Sequence, residues 1–432
     1  MDWASTYRSR VTTAEKAVEC VRSGDHVWLH AGCNNPEELV KALVARADEL
    51  ENVEVAGLLT FGYAEHANAR YEKSFRHRAM FTGGNVRQAV NEGRADWVPV
   101  FLSEIPRLIT SGLQPVDVAM IHVSPPDEHG FCSYGVGVEC TTAAAERASK
   151  VLALVNKQMP RSLGDAFIHV SKLTHMVEID RLPVELPGAG QVGEVAKAIG
   201  RNIAELIPDG ATLQMGIGEI PDGVLLYLKH KKNLGIHTEM FSDGLIELFE
   251  AGVITGEAKT LHRGKIVASF ILGSRKTFDF IDNNPFVEFH PSDYVNDPFV
   301  IARHDSMVAI NSALSVDITG QVNSDSIGRS VYSGFGGQVD FIRGASRSRG
   351  GKPIIALPAT AKDGQISRIV DVLAEGAGVV TSRGDVHYVV TEHGIADLYG
   401  KSLRERARAL IAVADPRFRD ELLAAARRRK LL

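Results

Sequence analysis

Short apolar runs alternate with amphipathic stretches along almost the whole chain, and that rhythm most restricts the fold. HVWLHAG reads as a strand, PEELVKALVARADEL as a helix with Pro36 in its first turn, and VEVAGLLTF as the next strand. Upstream, Thr12 and Glu15 are spaced as a capping box ahead of AEKAVECVRSG, and Gly24-Asp25 stops that helix. VDVAMIHVS, TTAAAERASK and VLALVNKQ continue the pattern as strand, helix and strand. Such β-α-β-α order predicts parallel sheets covered by helices on both faces.

The pattern breaks at RLPVELPGAG, residues 181–190, which hold two prolines and two glycines. With 432 residues, two or three domains are expected, and the boundary falls here, giving domains 1–188 and 189–432. The second half resumes with the helix VGEVAKAIGRNIAELI and ends in DPRFRDELLAAARRRKLL, read as an exposed helix. Its terminal cations suit a helix C-terminus and need no nucleic acid. A formal net charge of −5 gives no bulk reason to bind nucleic acid either. The apolar runs, such as Val151 to Val155, are far shorter than the ~20 residues a membrane helix needs. The opening segment MDWASTYRSRVTTAEK lacks an apolar core of signal-peptide length. Four cysteines without a CxxC pair fit a reducing compartment, so a cytoplasmic protein is expected.

Glycine is in excess at 40 residues, and the glycine-rich turns are where chemistry is sought. In QMGIGEIPDGV a strand enters a Gly-x-Gly turn before a helix, which lets backbone N–H groups approach a ligand or simply permits tight packing. It is neither a dinucleotide fingerprint nor a GxxxxGK[ST] loop. In LGIHTEMFSDG, Glu239 lies between a strand and a helix capped by Ser242, where open parallel sheets bind ligands. SGFGGQVDFIRGA offers successive amides at Gly336 and Gly337 that suit an anion nest or oxyanion hole, followed by Arg343, Arg347, Arg349 and Lys352. Glu392-His393 is read as a turn before a helix, and Asp127 to Cys132 as a dense turn rather than a metal site. Arg70, Arg76, His77 and Arg78 either hold a second carboxylate or form a solvated turn, and the turn is preferred.

RADWVPVFLSEIP, DVAMIHVSPPDEHGFCSYGVGVE, VNKQMPRSLGDAFIHVSK, GIGEIPDGV, LGIHTEMFSDG, SGFGGQVDFIRGA and TEHGIADLYGKS together resemble the acetyl-CoA hydrolase/transferase family. The likeness is strongest to its short-chain branch with 4-hydroxybutyrate CoA-transferase. The resemblance implies two open α/β domains with the active site in the cleft between them, and a homo-oligomer, often a dimer. It implies a CoA-transferase whose nucleophile is Glu239, working through acyl-glutamyl anhydride and glutamyl-CoA thioester intermediates. It also implies CoA contacts at Gln214, Met215, Gly216, Ile217 and Gly218, at Ser333, and at Gly337, whose amide faces the thioester oxygen with Asn296 beside it. A lysine that reaches CoA in relatives aligns with Arg349. Glu219 and His393 stand where relatives carry a small residue and tyrosine. Acyl-CoA and a free carboxylate are the expected substrates, with no prosthetic group or metal. An acyl-CoA hydrolase is the alternative, and a non-catalytic CoA-binding protein the alternative of another class. A glutamate with an ordinary pKa of about 4.3 is ionised at neutral pH without a general base.

Overall fold

The computed structural model describes residues 3–432 apart from 187 and 189. The chain forms two compact units, Met1–Leu186 with Val267–Val295, and Pro187–Ile266 with Asn296–Leu432. The boundary expected between 188 and 189 touches Ala189, which lies outside the described residues. Residues 267–295 return to the first unit, which no linear division of the sequence anticipates.

The first unit is built on seven strands in the order Asp96–Trp97, Phe75–Ala79, Val53–Gly57, His26–Leu29, Val118–Val123, Lys150–Asn156, His175–Ile179. All neighbours are parallel. Val118–Val123 is buried along its whole length, as expected of a strand covered on both faces. Helix Glu37–Ala45 contributes Leu39, Val40 and Leu43 to the core, where they meet Val27, Leu29 and Val55.

In the second unit, six strands are neighbours in the order Gly235–His237, Thr212–Met215, Met307–Ser312, Lys352–Ala356, Tyr388–Thr391, Gly394–Asp397. They are parallel except for the last, which returns as a hairpin. Thr212–Met215 has its next strand in sequence on one side and Met307–Ser312 on the other. The crossover therefore changes direction here and leaves a crevice at the carboxyl ends of these strands, where such sheets take ligands.

Two helices seat the start of this crevice by close backbone contact. A Cβ added to Gly200, in helix Glu194–Leu206, would lie 2.4 Å from the Gly223 carbonyl carbon. One added to Gly223, in helix Glu219–Leu226, would lie 2.5 Å from the Ala196 carbonyl oxygen. Only glycine allows the two helices to touch at this distance.

Several local readings are corrected. FRHR lies in strand Phe75–Ala79, not a solvated turn: His77 is buried, Arg76 pairs with Asp96, Arg78 with Glu54, and Arg70 with Glu65. Thr13, not Thr12, caps the helix Ala14–Val18. Glu392-His393 forms the tip of the hairpin between Tyr388–Thr391 and Gly394–Asp397, not a turn before a helix. The final helix, Arg419–Arg428, is amphipathic rather than exposed, burying Leu422, Ala425 and Ala426, while Arg429 pairs with Asp371. The 127–132 segment turns over residues 127–130 and then opens strand Phe131–Ser133; Asp127 Oδ1 accepts from the backbone N–H groups of His129 and Phe131. Among the described residues, no helix is long and apolar enough to cross a membrane.

Gly200→Ala should force the two helices apart and cost about 1–3 kcal/mol, the usual range for overpacking. Calorimetry is expected to show the melting temperature falling by several degrees. Unchanged melting would mean that the backbone contact carries no packing energy.

Candidate active site

The crevice is built from the ends of three strands. Thr212–Met215 runs into Gly216-Ile217-Gly218, and helix Glu219–Leu226 follows at once. Gly218 has a φ of +112°, a conformation that favours glycine. No atom lies within 4 Å of a Cβ placed on Gly216 or Gly218, so the backbone of the turn is open to an approaching group. Gln214 is buried, and its Oε1 accepts from Asn311 Nδ2 at 3.0 Å across the crevice. Thr238 braces the neighbouring strand end. Its Oγ1 lies 3.0 Å from Met215 O and 2.8 Å from Met240 O, and accepts from Met215 N at 3.3 Å.

Glu239 follows strand Gly235–His237 after Thr238 and is partly buried. Asn296 Nδ2 donates to Glu239 Oε2 at 3.0 Å, and the Gly337 N–H donates to the same carboxylate. A Cβ on Gly337 would lie 2.1 Å from Asn296 Nδ2 and 2.2 Å from Glu239 Oε2. Glycine is thus required here for space, since its φ of −98° is open to any residue. Gly336, at φ +52°, turns the chain so that helix Gln338–Arg347 starts against the carboxylate. Gln338 Nε2 donates to Thr381 Oγ1 at 3.1 Å and anchors that helix start. Asn296 is fully buried, and its Oδ1 has no hydrogen-bond partner among the described residues.

Burial raises the Glu239 pKa to about 7, more than the Asn296 and Gly337 hydrogen bonds lower it. The expectation of an ordinary, fully ionised carboxylate is corrected: burial favours the protonated form of Glu239 well above the usual carboxylate range.

Beneath the strand that leads to Glu239 is a feature that sequence reasoning missed. Lys259 is buried, and its ammonium donates to Ile236 O at 2.7 Å and Lys265 O at 2.8 Å. Gly235 makes room for its stem: a Cβ there would meet Lys259 Cγ at 2.3 Å. The buried His304 ring stands 4.5 Å from the His237 ring, and burial together with the Lys259 charge pushes His304 down to about 3, so it is neutral. A lone lysine in a polar stretch carries no signal of burial. Only the glycine at 235 hinted at a close approach.

The remaining expected residues divide. Ser333 lies in the loop leading to Gly337; its N–H donates to Asp325 O and its Oγ to Ser324 O, both at 3.1 Å. Ile217 is exposed on the glycine turn. Arg349 is not brought to the cluster. It follows the far end of helix Gln338–Arg347, roughly 15 Å along from Gly337. There its guanidinium is exposed and paired with Asp305, and its carbonyl accepts from Ser306 N at the amino edge of the sheet. Any contact of Arg349 with CoA would therefore fall well away from the Glu239 carboxylate. Glu219 opens the helix after the glycine turn. His393 sits by Glu392 and Asp415 at the hairpin tip.

Two largely parallel α/β sheets match the architecture of solved CoA-transferase structures. The chain belongs to the acetyl-CoA hydrolase/transferase family, matching its N-terminal domain over residues 1–186 and its C-terminal domain over 273–426. It is 52% identical to the 4-hydroxybutyrate coenzyme A transferase of Clostridium kluyveri, covering 98% of both chains. It is 44% identical to the succinyl-CoA:cyclohexane-1-carboxylate CoA transferase of Geobacter metallireducens, over 98% of this chain and 96% of that one. The crystal structure of 4-hydroxybutyrate CoA-transferase from Porphyromonas gingivalis superposes with a TM-score of 0.86 at 42% identity, covering 99% of this chain and 100% of that one.

A raised carboxyl pKa has a definite consequence for stability. Between pH 4.5 and 7 the folded chain binds more protons at Glu239 than the unfolded one, so its contribution falls as pH rises and stays low above 7. Glu239→Gln removes that cost. The variant should melt higher than the parent at pH 8, by a free energy of up to about 3 kcal/mol. At pH 4, where both states of the parent are protonated, the two should melt nearly alike. An equal gap at both pH values would contradict the raised pKa.

Proposed function

We propose that this protein is a CoA-transferase exchanging CoA between a short-chain acyl-CoA and a free carboxylate, with Glu239 as the covalent nucleophile. The observation that carries this is the convergence of Asn296 Nδ2 and the Gly337 N–H on one carboxylate at the carboxyl edge of the sheet. The functional halves are taken as 1–188 and 189–432, with the nucleophile in the second. Gln214 to Gly218, Ser333 and the Gly337 amide hold the thioester end of CoA. The chain works as a cytoplasmic homodimer, on the strength of the family resemblance, and light scattering at working concentration tests the dimer.

The two carboxylate oxygens have different parts. Oε2 is held by Asn296 and lies beside Gly337, which leaves Oε1 to attack the acyl carbonyl. The carbon–sulfur bond breaks, CoA leaves as thiolate, and Oε1 bridges a mixed anhydride. The thiolate then attacks Glu239 Cδ, and negative charge develops on Oε2, where the Asn296 amide already points and the Gly337 backbone lies close. Cleavage of the bond from Cδ to the bridging oxygen expels the first acid and leaves the glutamyl-CoA thioester. The acceptor acid runs the same steps in reverse. Burial works in the same direction: a half-desolvated carboxylate is a stronger nucleophile, and the same dry surroundings strengthen the donors when charge forms.

One oxygen of Glu239 is replaced by one from the acceptor in each cycle. A single turnover with an acceptor acid labelled with heavy oxygen should leave one heavy oxygen in the Glu239 peptide, read by mass spectrometry. An unlabelled peptide alongside labelled product would overturn the covalent route. Full thiol release without any acceptor would instead make the protein a hydrolase. Asn296→Ala should lower kcat by about 10²–10³, the usual cost of losing one such donor. In that variant, glutamyl-CoA formation should slow more than loss of the substrate thioester in a rapid-quench experiment.

A further inference from the structure

With Arg349 removed from the crevice, a different cation stands on its carboxyl edge. Arg368 joins strands Ile366–Ser367 and Ile369–Val370, and its backbone is pinned on both sides. Its N–H donates to Ala359 O and its carbonyl accepts from Val316 N, each at 2.8 Å. The side chain is partly buried, and burial lowers its pKa, while Tyr332 and Glu392 lie close enough to act on its charge. Of the five N–H donors of a guanidinium, one is used among the described residues, Nη1 to Ala313 O at 3.3 Å. Nε is buried without a partner, and Glu392 gives one oxygen to the Ala359 N–H instead. A guanidinium that is partly desolvated and mostly unpaired is costly unless something anionic completes it.

Its place suggests what that is. Ala313 follows the end of Met307–Ser312, and Tyr332 precedes Ser333. Counting strands at about 4.8 Å each, from Gly235–His237 across Thr212–Met215 to Met307–Ser312, sets Arg368 roughly 10 Å along the edge from the nucleophile's strand. That is too far for the reacting acyl group and suits the far end of a pantetheine arm whose sulfur lies at Glu239. We propose that Arg368 binds a phosphate of CoA, its planar fork matching the phosphate oxygens. This rests on the CoA-transferase function above.

The test uses Arg368→Gln with acetyl-CoA, acetyl-dephospho-CoA and acetyl-pantetheine as donors, the last lacking every phosphate. The KM for acetyl-CoA should rise about tenfold or more, with kcat within about twofold, as expected for a lost charge-assisted contact. The KM for acetyl-pantetheine should not move. Arg368→Lys, which keeps the charge without the fork, should fall between. If acetyl-dephospho-CoA loses as much affinity as acetyl-CoA, the contact is to the pyrophosphate; if it loses none, the contact is to the ribose phosphate. Equal losses for acetyl-CoA and acetyl-pantetheine, a higher KM for the free carboxylate alone, or no change in any would overturn the proposal. Covalent labelling of Glu239 by acetyl-pantetheine in both proteins reports separately on the nucleophile.

Discussion

The carboxylate of Glu239 is held by an amide from Asn296 and a backbone N–H from Gly337, and much of the second unit is arranged to keep these three together. Each arrives from a different part of the chain: the end of a strand, the segment following Val295, and the start of helix Gln338–Arg347. None tolerates much displacement. Gly337 has no room for a methyl group, Asn296 has no exposed surface, and Thr238 ties the strand before Glu239 to the glycine turn. The carboxylate and its donors are therefore held in place by the fold, as preorganised charge stabilisation requires.

This arrangement has an energetic cost. Packing around Glu239 raises its pKa to about 7, and Lys259 is placed under the same strand with its ammonium spent on backbone carbonyls. Both groups would be easier to keep in water. Stability lost in this way is recovered by ordinary means elsewhere, through strands buried on both faces and helices drawn together at Gly200 and Gly223.

How legible each part was depended on the range of the interaction that made it. The strands at 26–29, 53–57 and 118–123 were plain because apolar runs of that length have few other uses. FRHR misled because its arginines look solvated in sequence, whereas as a strand they alternate outward around a buried His77 and find acids on neighbouring strands. The final helix misled for a similar reason: its small apolar stripe of Leu422, Ala425 and Ala426 is easily overlooked among arginines. One helix length separates Arg349 from Gly337, a distance that the spacing of glycines and basic residues in the sequence does not reveal.

The sequence by itself determined the class of fold, the rhythm of strand and helix, the family, and the place of Glu239 between a strand and a helix. Those follow from local periodicity and from motifs that are contiguous in the chain. Tertiary structure alone decided the state of that side chain and its company. The direction of the pKa shift depends on what packs around the carboxylate, Asn296 reaches it from 57 positions away, and the buried lysine under its strand and the underused Arg368 are both defined by neighbours distant in sequence. Burial and hydrogen bonding across such separations are properties of a packed interior, and no local pattern of residues encodes them.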